Sequence, residues 1–247
     1  MTETETIADI GQADLDRLRA EYADRERRLA GSDIYSLFNP AHLFMTQQRQ
    51  RIALKTLRRL GFYPLDRCRI LEVGCGRGGV LLEYLSYGAT PGRIHGIDLL
   101  EDRVVEAHVR LPSLLLSCAD GQHLPYPNEA FDLVMQYTAF SSILDDSVKT
   151  NLAREMLRVL RPEGAIIWYD YWLNPTNPQA RGIRPTEIRR LFPGCKYYFQ
   201  RITLAPPITR RLISVSWLLC YVLEKISVLN THYLAVIRKR LPDGAMP

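Results

Sequence analysis

Cysteine is scarce in this sequence, and no pair of cysteines has the spacing of a metal site. The five cysteines, an odd number, stand at positions 68, 75, 118, 195 and 220. None belongs to a C-x-x-C pair, and none has a histidine at ligand spacing. We therefore expect reduced thiols rather than a disulfide framework or a zinc centre, and we expect no catalytic metal.

We expect neither a secretion signal nor a membrane-spanning segment from this sequence. Its start, MTETETIADIGQADLD, is acidic, whereas a signal peptide begins with a basic segment. Residues 208–226, ITRRLISVSWLLCYVLEKI, contain an apolar core that is too short to span a membrane. We predict a helix there, which is either a core helix or a cover of the substrate site, or else lies on a membrane surface. We expect a cytoplasmic protein, with peripheral membrane contact as an open alternative.

Acidic residues are rare in the C-terminal part of the chain. Residues 181–240 hold 12 Lys and Arg against two acidic residues, a local net charge of +10 within a chain of net charge +5. Such a basic region attracts phosphates, nucleic acid or an anionic membrane surface. A solvated basic face without a partner is the alternative interpretation.

From residue 69 onward, short apolar runs alternate with helical segments. We predict strands at RILEV, RIHGIDL, LLLSCAD, FDLVMQYTAF and AIIWYDYW, with a helix in SVKTNLAREMLRVL that is closed by RPEG. These strands are apolar throughout, which is typical of a parallel sheet covered by helices on both faces. Two helices precede them, at 13–30 and 41–61. After a loop at 174–178, a short helix in RPTEIRRLF and strands at KYYFQRITL and 231–240 complete the pattern.

The stretch ILEVGCGRGG contains a glycine-rich turn between a predicted strand and a predicted helix. Gly74, Gly76 and Gly79 form G-x-G-x-x-G, which brings a ligand close to the backbone and to a helix N-terminus. Asp98 ends the next strand, 24 residues after Gly74, and is placed to accept hydrogen bonds from ribose hydroxyls. These features alone fit nicotinamide cofactors and S-adenosylmethionine equally well.

Two carboxylates favour S-adenosylmethionine. Glu72 precedes the first glycine by two residues, where it suits a cationic ammonium and would repel a pyrophosphate. Asp120, in CADGQHLPYP at the end of the third strand, is placed to accept from an adenine amine.

This series of motifs resembles the class I S-adenosylmethionine-dependent methyltransferases, particularly the small-molecule group that includes ubiquinone-biosynthesis-type enzymes. The matching segments are ILEVGCGRGG, HGIDL, CADGQHLPYPNEAFDLV and MLRVLRPEGAIIW. The resemblance implies an α/β, Rossmann-like fold: a seven-stranded, mostly parallel sheet with helices on both faces and an antiparallel last strand. It implies S-adenosylmethionine as cofactor, with S-adenosylhomocysteine as product.

The resemblance also implies a set of cofactor-binding residues, which hold the methionine part, the ribose and the adenine. They are Glu72, Gly74, Cys75, Gly76, Asp98, Leu99, Asp120, Gly121, Gln122, Gln136 and Tyr137. We add Tyr35, because an aromatic face suits the positive charge of the sulfonium. Simple packing is the alternative role for Gln122, Tyr137 and Tyr35.

The chain departs from many relatives after the fourth strand, where Ser141 and Ser142 replace a His-His pair. We therefore consider Asp170, at the end of the fifth strand, and His42, in the second helix, as candidate catalytic residues. Helix capping or structural hydrogen bonding is the alternative role for Asp170.

Candidate substrate-binding residues follow the fifth strand. Tyr171 and Trp172 would stack on a sugar or an apolar ring, and Arg181 and Arg184 would hold an anionic group. Further basic residues there, including Arg210, are candidates for the same role.

We expect three regions: an N-terminal helical cap over 1–61, an S-adenosylmethionine-binding core over 62–174, and a C-terminal part of the same domain over 175–247 that carries the substrate-side helices and the final antiparallel strands. The predicted function is O-methylation of a glycan, lipid-linked or secondary-metabolite acceptor that is anionic. N- or C-methylation of a small metabolite is an alternative, and so is a non-catalytic regulatory or scaffold protein that binds the cofactor. Nucleic acid is disfavoured as a partner, because no N/D-P-P-Y/F motif is present. The oligomeric state stays open.

Overall fold

The computed structural model describes residues 3–173 and 180–240, with side chains from residue 16 onward. The loop predicted at 174–178 lies outside the described residues. Seven strands form one sheet with the order β3-β2-β1-β4-β5-β7-β6. The strands are β1 (Ile70–Val73), β2 (Ile94–Asp98), β3 (Leu115–Cys118), β4 (Phe131–Tyr137), β5 (Leu160–Tyr171), β6 (Lys196–Leu204) and β7 (Asn230–Arg238).

Pairing within the sheet is parallel from β3 to β5, and β7 runs antiparallel to both of its neighbours, β5 and β6. The predicted α/β, Rossmann-like fold with an antiparallel last strand is therefore confirmed.

Eight α-helices accompany these strands in the described part of the chain. They are α1 (Glu3–Leu29), α2 (Pro40–Arg59), α3 (Gly79–Ser86), α4 (Glu101–Arg110), α5 (Asp146–Val159), α6 (Pro185–Leu191), α7 (Pro206–Leu212) and α8 (Trp217–Leu223). α1 begins earlier than residue 13, where its start was predicted. α2 begins where Asn39 accepts from the backbone N–H groups of Ala41 and His42.

The central strands are apolar on both sides because each side faces a separate hydrophobic core. Leu71 of β1 packs in the core that includes Leu152 of α5. Ile70, the preceding residue, packs in the core that includes Leu57 of α2 and Leu81 of α3. Since successive side chains of a strand point to opposite faces, an unbroken apolar run is required wherever both faces are covered.

The start of β5 differs from the prediction. α5 ends at Val159 and β5 begins at the next residue, so RPEG lies within the strand rather than as a separate helix stop. Leu160 pairs with Phe131 of β4, and the register shifts between Phe131 and Leu133. Strand pairing with β4 therefore extends β5 backwards through a segment whose Pro and Gly favour a turn.

The single helix predicted over 208–226 is wrong: two short helices, α7 and α8, occupy this segment. Ser216 adopts an extended backbone, and its hydroxyl accepts from the backbone N–H of Leu219, so that it caps the start of α8. Serine at this position competes with helix continuation through that local hydrogen bond, although the surrounding residues are apolar. In the described part of the chain, no helix has the length and apolarity needed to cross a membrane.

The strand order indicates where a ligand would bind. β1 pairs with β2 on one side and with β4 on the other, so the chain reverses its direction of winding at β1. In open α/β sheets, the crevice beyond the carboxyl ends of the strands at such a point is where ligands bind.

The cap at Ser216 can be tested by the sign of a stability change. We expect Ser216→Ala to lower the free energy of unfolding by about 1 kcal/mol, because the variant loses the N-cap hydrogen bond of α8. In one continuous helix the same substitution would be slightly stabilising, since alanine is the better helix former. Chemical denaturation measures the change, and Ser214→Ala, at an exposed neighbour, is the matched control.

Candidate active site

A cavity of about 1230 Å³ lies at the carboxyl ends of the central strands. Its lining joins the loops after β1, β2, β3 and β4 to residues from α1, α2, β5, β6, α7 and β7. Pockets for a single small molecule usually measure roughly 300–1,000 Å³. The cavity is therefore large enough for two reactants to meet.

The loop after β1 is folded closely against the end of β2. The backbone N–H groups of Gly74 and Cys75 both donate to the carbonyl of Ile97 at 2.9 Å. Gly74 has a φ of +76°, and a Cβ there would lie 2.8 Å from the Cβ of Ala139. Gly76 has a φ of +51°, and a Cβ on it would meet nothing within 4 Å. The loop thus needs glycine for its backbone and leaves open space beside Gly76, as a ligand cradle requires.

Asp98 fixes this loop through its carboxylate. Its Oδ2 accepts from the backbone N–H of Gly76 at 2.7 Å, and its Oδ1 accepts from that of Leu100 at 3.0 Å. An ionised carboxylate can accept about four hydrogen bonds, so Asp98 retains capacity for a ligand in the cavity. Asp98 and Leu99 both line the cavity.

Glu72 lines the cavity beside the glycine loop and is almost completely buried. Its Oε2 atom has no hydrogen-bond partner among the described residues. Burial raises the pKa of Glu72 well above its ordinary value, and the nearby Arg49 only partly opposes this. An orphaned carboxylate oxygen facing a cavity fits a cationic group, and the ammonium of an amino-acid tail is such a group.

The loop after β3 holds itself together by local hydrogen bonds. Asp120 accepts from the backbone N–H of Gln122 at 2.9 Å and from its side-chain amide at 3.2 Å. The side-chain oxygen of Gln122 accepts from Asn151 of α5 at 3.0 Å. Asp120, Gly121 and Gln122 all line the cavity. Their predicted adenine contacts stay predictions.

The structure separates the two residues predicted at the end of β4. Tyr137 lines the cavity, and its hydroxyl lies 3.2 Å from that of Tyr84. Gln136 is fully buried outside the lining, where its side-chain oxygen accepts from the backbone N–H of Ala139 at 3.1 Å. Gln136 therefore shapes the loop that lines the cavity and does not face a ligand itself.

That loop, and the end of β6, contain strained backbone. Thr138 has a φ of +60° and Thr203 a φ of +68°, and both line the cavity. Each such residue costs roughly 1–3 kcal/mol and persists only where the surrounding structure enforces it. Their coincidence at one cavity is typical of a functional site.

Two cavity residues, Arg49 and His232, were not predicted as site residues. Arg49 of α2 pairs with Glu83 and lies 5.5 Å from the ring of Tyr137 and 5.6 Å from that of Tyr169. Its Nε atom has no partner within the described chain. Nothing in the sequence distinguishes Arg49 from the other basic residues of its helix, because only the packing of α2 against the sheet buries it.

His232 of β7 is held in an aromatic stack. Its ring lies 4.7 Å from the ring of Tyr169, nearly parallel to it, and 3.9 Å from that of Tyr171. Burial and the proximity of Arg49 lower the pKa of His232 to about 3, so the imidazole is neutral near pH 7. Antiparallel pairing of β7 with β5 brings His232 opposite Tyr171, which sequence alone did not reveal.

The hydrogen bonds around His232 favour one tautomer. Its Nδ1 lies 3.1 Å from Oγ1 of Thr231, whose hydroxyl donates to the carbonyl of Thr203 at 3.5 Å. With its proton committed to Thr203, the Thr231 oxygen accepts from Nδ1–H. This assignment leaves the lone pair on Nε2.

Asp170 does not line the cavity, although it was a candidate catalytic residue. Its carboxylate accepts from the backbone N–H groups of Ser141 at 3.0 Å and of Tyr171 at 2.8 Å. Burial raises the pKa of Asp170 to about 6. The structure therefore favours the alternative role, in which Asp170 joins β5 to the loop after β4. His42 does line the cavity, where its ring meets Tyr35 edge-on at 5.9 Å.

Of the predicted substrate residues, only Tyr171 lines the cavity; three others lie outside its described lining. Trp172 donates from Nε1 to the carbonyl of Asn230 at 2.8 Å. Arg181 forms ion pairs with Asp146 and Glu187. Arg184 precedes α6 as its N-cap residue. Asp146 and Glu187 neutralise the charge of Arg181, so this arginine does not bring positive charge to the cavity.

Arg25 and Arg210 bring positive charge to the part of the cavity that α1 and α7 line. Arg25 of α1 donates to the hydroxyl of Tyr35, and its guanidinium lies 5.2 Å from the ring centroid. Arg210 of α7 also lines the cavity, and its charge lowers the pKa of His42 together with burial and Arg49. Tyr35, predicted as a cofactor residue, thus lies in the cavity lining between the guanidinium of Arg25 and the ring of His42.

Comparison with known proteins agrees with this geometry. Residues 70–164, which include β1 to β4 and the start of β5, match the family described as the methyltransferase domain. The chain carries a class I S-adenosylmethionine-dependent methyltransferase domain. The predicted family and its cofactor are therefore confirmed for this domain, whereas the roles of individual residues stay predictions.

Two curated relatives are similar to part of this chain. Phthiotriol/phenolphthiotriol dimycocerosates methyltransferase of Mycobacterium leprae (strain TN) is 37% identical over 111 residues, covering 44% of this chain and 39% of the relative. The 27-O-demethylrifamycin SV methyltransferase of Amycolatopsis mediterranei (strain S699) is 30% identical over 128 residues, covering 49% of this chain and 45% of the relative. The chain thus spans less than half the length of these relatives.

Solved structures share the fold of the methyltransferase domain at low identity. A SAM-dependent methyltransferase from Archaeoglobus fulgidus has a TM-score of 0.54 at 19% identity, covering 80% of this chain and 98% of that one. The cyclase SpnF has a TM-score of 0.58 at 18% identity, covering 79% of this chain and 83% of that one. Because one of these is a cyclase, the fold alone does not decide the reaction.

The buried charge of Glu72 predicts opposite effects on stability and on ligand binding. A carboxyl group with a raised pKa destabilises the folded state once the pH exceeds its ordinary value of 4.5. We expect Glu72→Gln to unfold at a higher temperature than the parent protein at pH 8 without cofactor. This advantage should shrink as the pH falls towards 4.5.

The same variant should bind S-adenosylhomocysteine more weakly, because the amide cannot pair with an ammonium. Thermal unfolding across pH and calorimetric titration measure the two effects. Glu163→Gln, at an exposed carboxylate, is the matched control and should change neither. A lower unfolding temperature for Glu72→Gln at pH 8 would contradict this interpretation of the site.

Proposed function

We propose that the protein is an O-methyltransferase that methylates a hydroxyl group on a lipid or secondary-metabolite acceptor bearing an anionic group. The observation that carries the proposal is one cavity in which the loops that follow β1, β2 and β3 meet basic and aromatic side chains. These motif loops would hold the cofactor, and the basic and aromatic side chains would receive the acceptor.

The cofactor side of the cavity offers complementary charges. Glu72 presents an unpaired carboxylate oxygen, and Arg49 presents an unpaired guanidinium nitrogen. They would hold the ammonium and the carboxylate of an amino-acid tail, while Asp98 would accept from the ribose. When bound, S-adenosylmethionine supplies a methyl group activated by a sulfonium.

His232 is our candidate for the group that receives the acceptor's proton. Its ring is fixed between Tyr169 and Tyr171, and Thr231 holds Nδ1, so Nε2 is left to accept from a hydroxyl. Fixing the acceptor oxygen in one orientation lowers the entropic barrier to an in-line displacement. The low pKa of His232 keeps the imidazole neutral at ordinary pH, so the lone pair on Nε2 is free to accept a hydrogen bond from the acceptor hydroxyl.

The far side of the cavity would suit an acceptor with an apolar body and an anionic group. Arg25 and Arg210 supply positive charge there, and apolar side chains such as Leu18, Met45 and Pro207 complete the lining. Guanidinium groups form forked hydrogen bonds with carboxylates and phosphates.

The names of the two curated relatives support this acceptor class, since one refers to dimycocerosates and the other to rifamycin. A glycan acceptor and N- or C-methylation remain alternatives that a screen with labelled methyl donor would separate. A protein that binds the cofactor without turnover would bind S-adenosylhomocysteine but methylate no member of that screen.

The cofactor assignment has a direct test in Asp98→Ala. We expect the parent protein to bind S-adenosylhomocysteine and not NADH in calorimetric titration. The variant should lose most of this affinity, because Asp98 both positions the loop at Gly76 and would accept from the ribose. Asp132→Ala, on a carboxylate outside the cavity, is the control, and binding of NADH by the parent would refute the assignment.

The role of His232 predicts an effect that depends on the acceptor. We expect His232→Gln to lower kcat for a hydroxyl acceptor by about 10²-fold or more, because positioned proton transfer contributes that much. Transfer to a carboxylate acceptor should be nearly unchanged, since no proton is removed. Equal losses for both acceptors, or none for the hydroxyl, would contradict the role. His108→Gln, on α4, is the control for histidine replacement.

The two neighbouring arginines of α7 provide a matched pair for the anionic group. We expect Arg210→Gln to raise KM for an anionic acceptor about tenfold or more, because a charge-assisted hydrogen bond is lost. Arg211→Gln should leave KM unchanged, since Arg211 does not belong to the described lining. Affinity for S-adenosylhomocysteine should be unchanged in both variants, as calorimetric titration will show.

A further inference from the structure

The segment that follows β6 exposes an unusual number of large apolar side chains. We name this the α8 surface. It consists of Val215, Trp217, Leu218, Leu219, Tyr221, Val222, Ile226 and Val228, all of which are exposed. Apolar side chains this closely grouped on a surface indicate an interaction site rather than chance exposure.

Positive charge borders the α8 surface on two sides. Arg211 precedes it and Lys225 lies within it, and both are exposed. On the neighbouring helix α2, Arg51, Lys55 and Arg58 are exposed at the spacing of one helical stripe.

The stripe on α2 is joined directly to the α8 surface. Arg51 pairs with Glu224 at 3.0 Å, and its guanidinium lies 5.6 Å from the ring of Tyr221. Glu224 is the sole acidic residue between positions 205 and 229, and it is buried and also paired with Lys225. The whole face therefore presents apolar groups and positive charge, with no exposed carboxylate from that segment.

We propose that this face docks on an anionic membrane surface, with the α8 side chains entering the interface and the α2 stripe contacting the headgroups. Apolar side chains bordered by Lys and Arg are the chemistry that binds such surfaces. A second copy of the chain fits less well, because two-fold pairing would bring identical basic stripes together.

The α8 surface lies next to the acceptor side of the cavity, so docking would bring that side towards the membrane. Pro206, Pro207 and Arg210 of α7 line the cavity, and α7 leads directly into the α8 surface. Docking would thus hold the acceptor side of the cavity near the bilayer, where a lipid acceptor resides. The inference goes beyond the proposed function, since membrane binding does not depend on methyl transfer.

Sedimentation of the full chain with vesicles, without cofactor or acceptor, tests the docking. We expect co-sedimentation with vesicles of phosphatidylcholine mixed with phosphatidylglycerol, and much less with phosphatidylcholine alone. The double variant Leu218→Ser/Val222→Ser should bind at least about tenfold more weakly than the parent protein, because it removes apolar groups that are 70% and 53% exposed. Lys55→Gln/Arg58→Gln should weaken binding about fivefold per charge.

Matched variants elsewhere on the surface control for general effects. Val105→Ser/Val109→Ser replaces side chains of α4 that are 57% and 77% exposed at the same four-residue spacing. Arg67→Gln/Arg154→Gln removes two exposed charges away from the face. Both controls should sediment like the parent protein, and thermal unfolding verifies that every variant is folded.

Three results would overturn the docking. The parent protein would fail to sediment with the anionic vesicles, or the α8 and α2 variants would sediment as well as it does. Alternatively, sedimentation equilibrium would reveal a dimer that Leu218→Ser/Val222→Ser dissociates, which would assign the face to a second copy. Because no reaction is measured, none of these results bears on methyl transfer, and a failure of methyl transfer would leave the docking intact.

Discussion

The hydrogen bond between the backbone N–H of Gly76 and the carboxylate of Asp98 joins the two loops on which the site depends. It ties the turn after β1 to the end of β2, across the point where the strand order reverses. The turn can follow this path only with positive φ angles at Gly74 and Gly76. With this turn fixed, the carboxyl ends of β1, β2 and β4 lie around one cavity. The other elements that line the cavity pack against these strand ends.

Charge is buried in this cavity at a cost to the fold. Glu72 is buried, Arg49 is partly buried, and each has an unpaired polar atom, while Thr138 and Thr203 have strained backbone. An empty protein gains nothing from such groups, because a desolvated charge and a strained residue both destabilise the folded state. A bound ligand of complementary charge offsets that cost, which is the physical basis for interpreting the cavity as a ligand site.

The two ends of the chain supply the parts of the cavity lining that lie outside the motif loops. α1 and α2 bring Arg25 and Arg49, and the segment from β6 to β7 brings Arg210 and His232. The motifs shared with relatives lie between these ends, within residues 70–164. In the proposed function, the motif loops hold the cofactor together with Arg49, and the flanking parts of the chain supply Arg25, Arg210 and His232 for the acceptor.

The sequence by itself determined the class of fold, the family and the loops that line the cavity, because these depend on short local patterns. Apolar strand runs, the glycine turn and Asp98 each act within a few residues of their position. Only the tertiary structure decided that Asp170 and Gln136 face inward, that Ser216 divides the predicted helix, and that His232 reaches the cavity. Those outcomes depend on pairing and packing between residues far apart in sequence, such as β5 with β7, which no local pattern encodes.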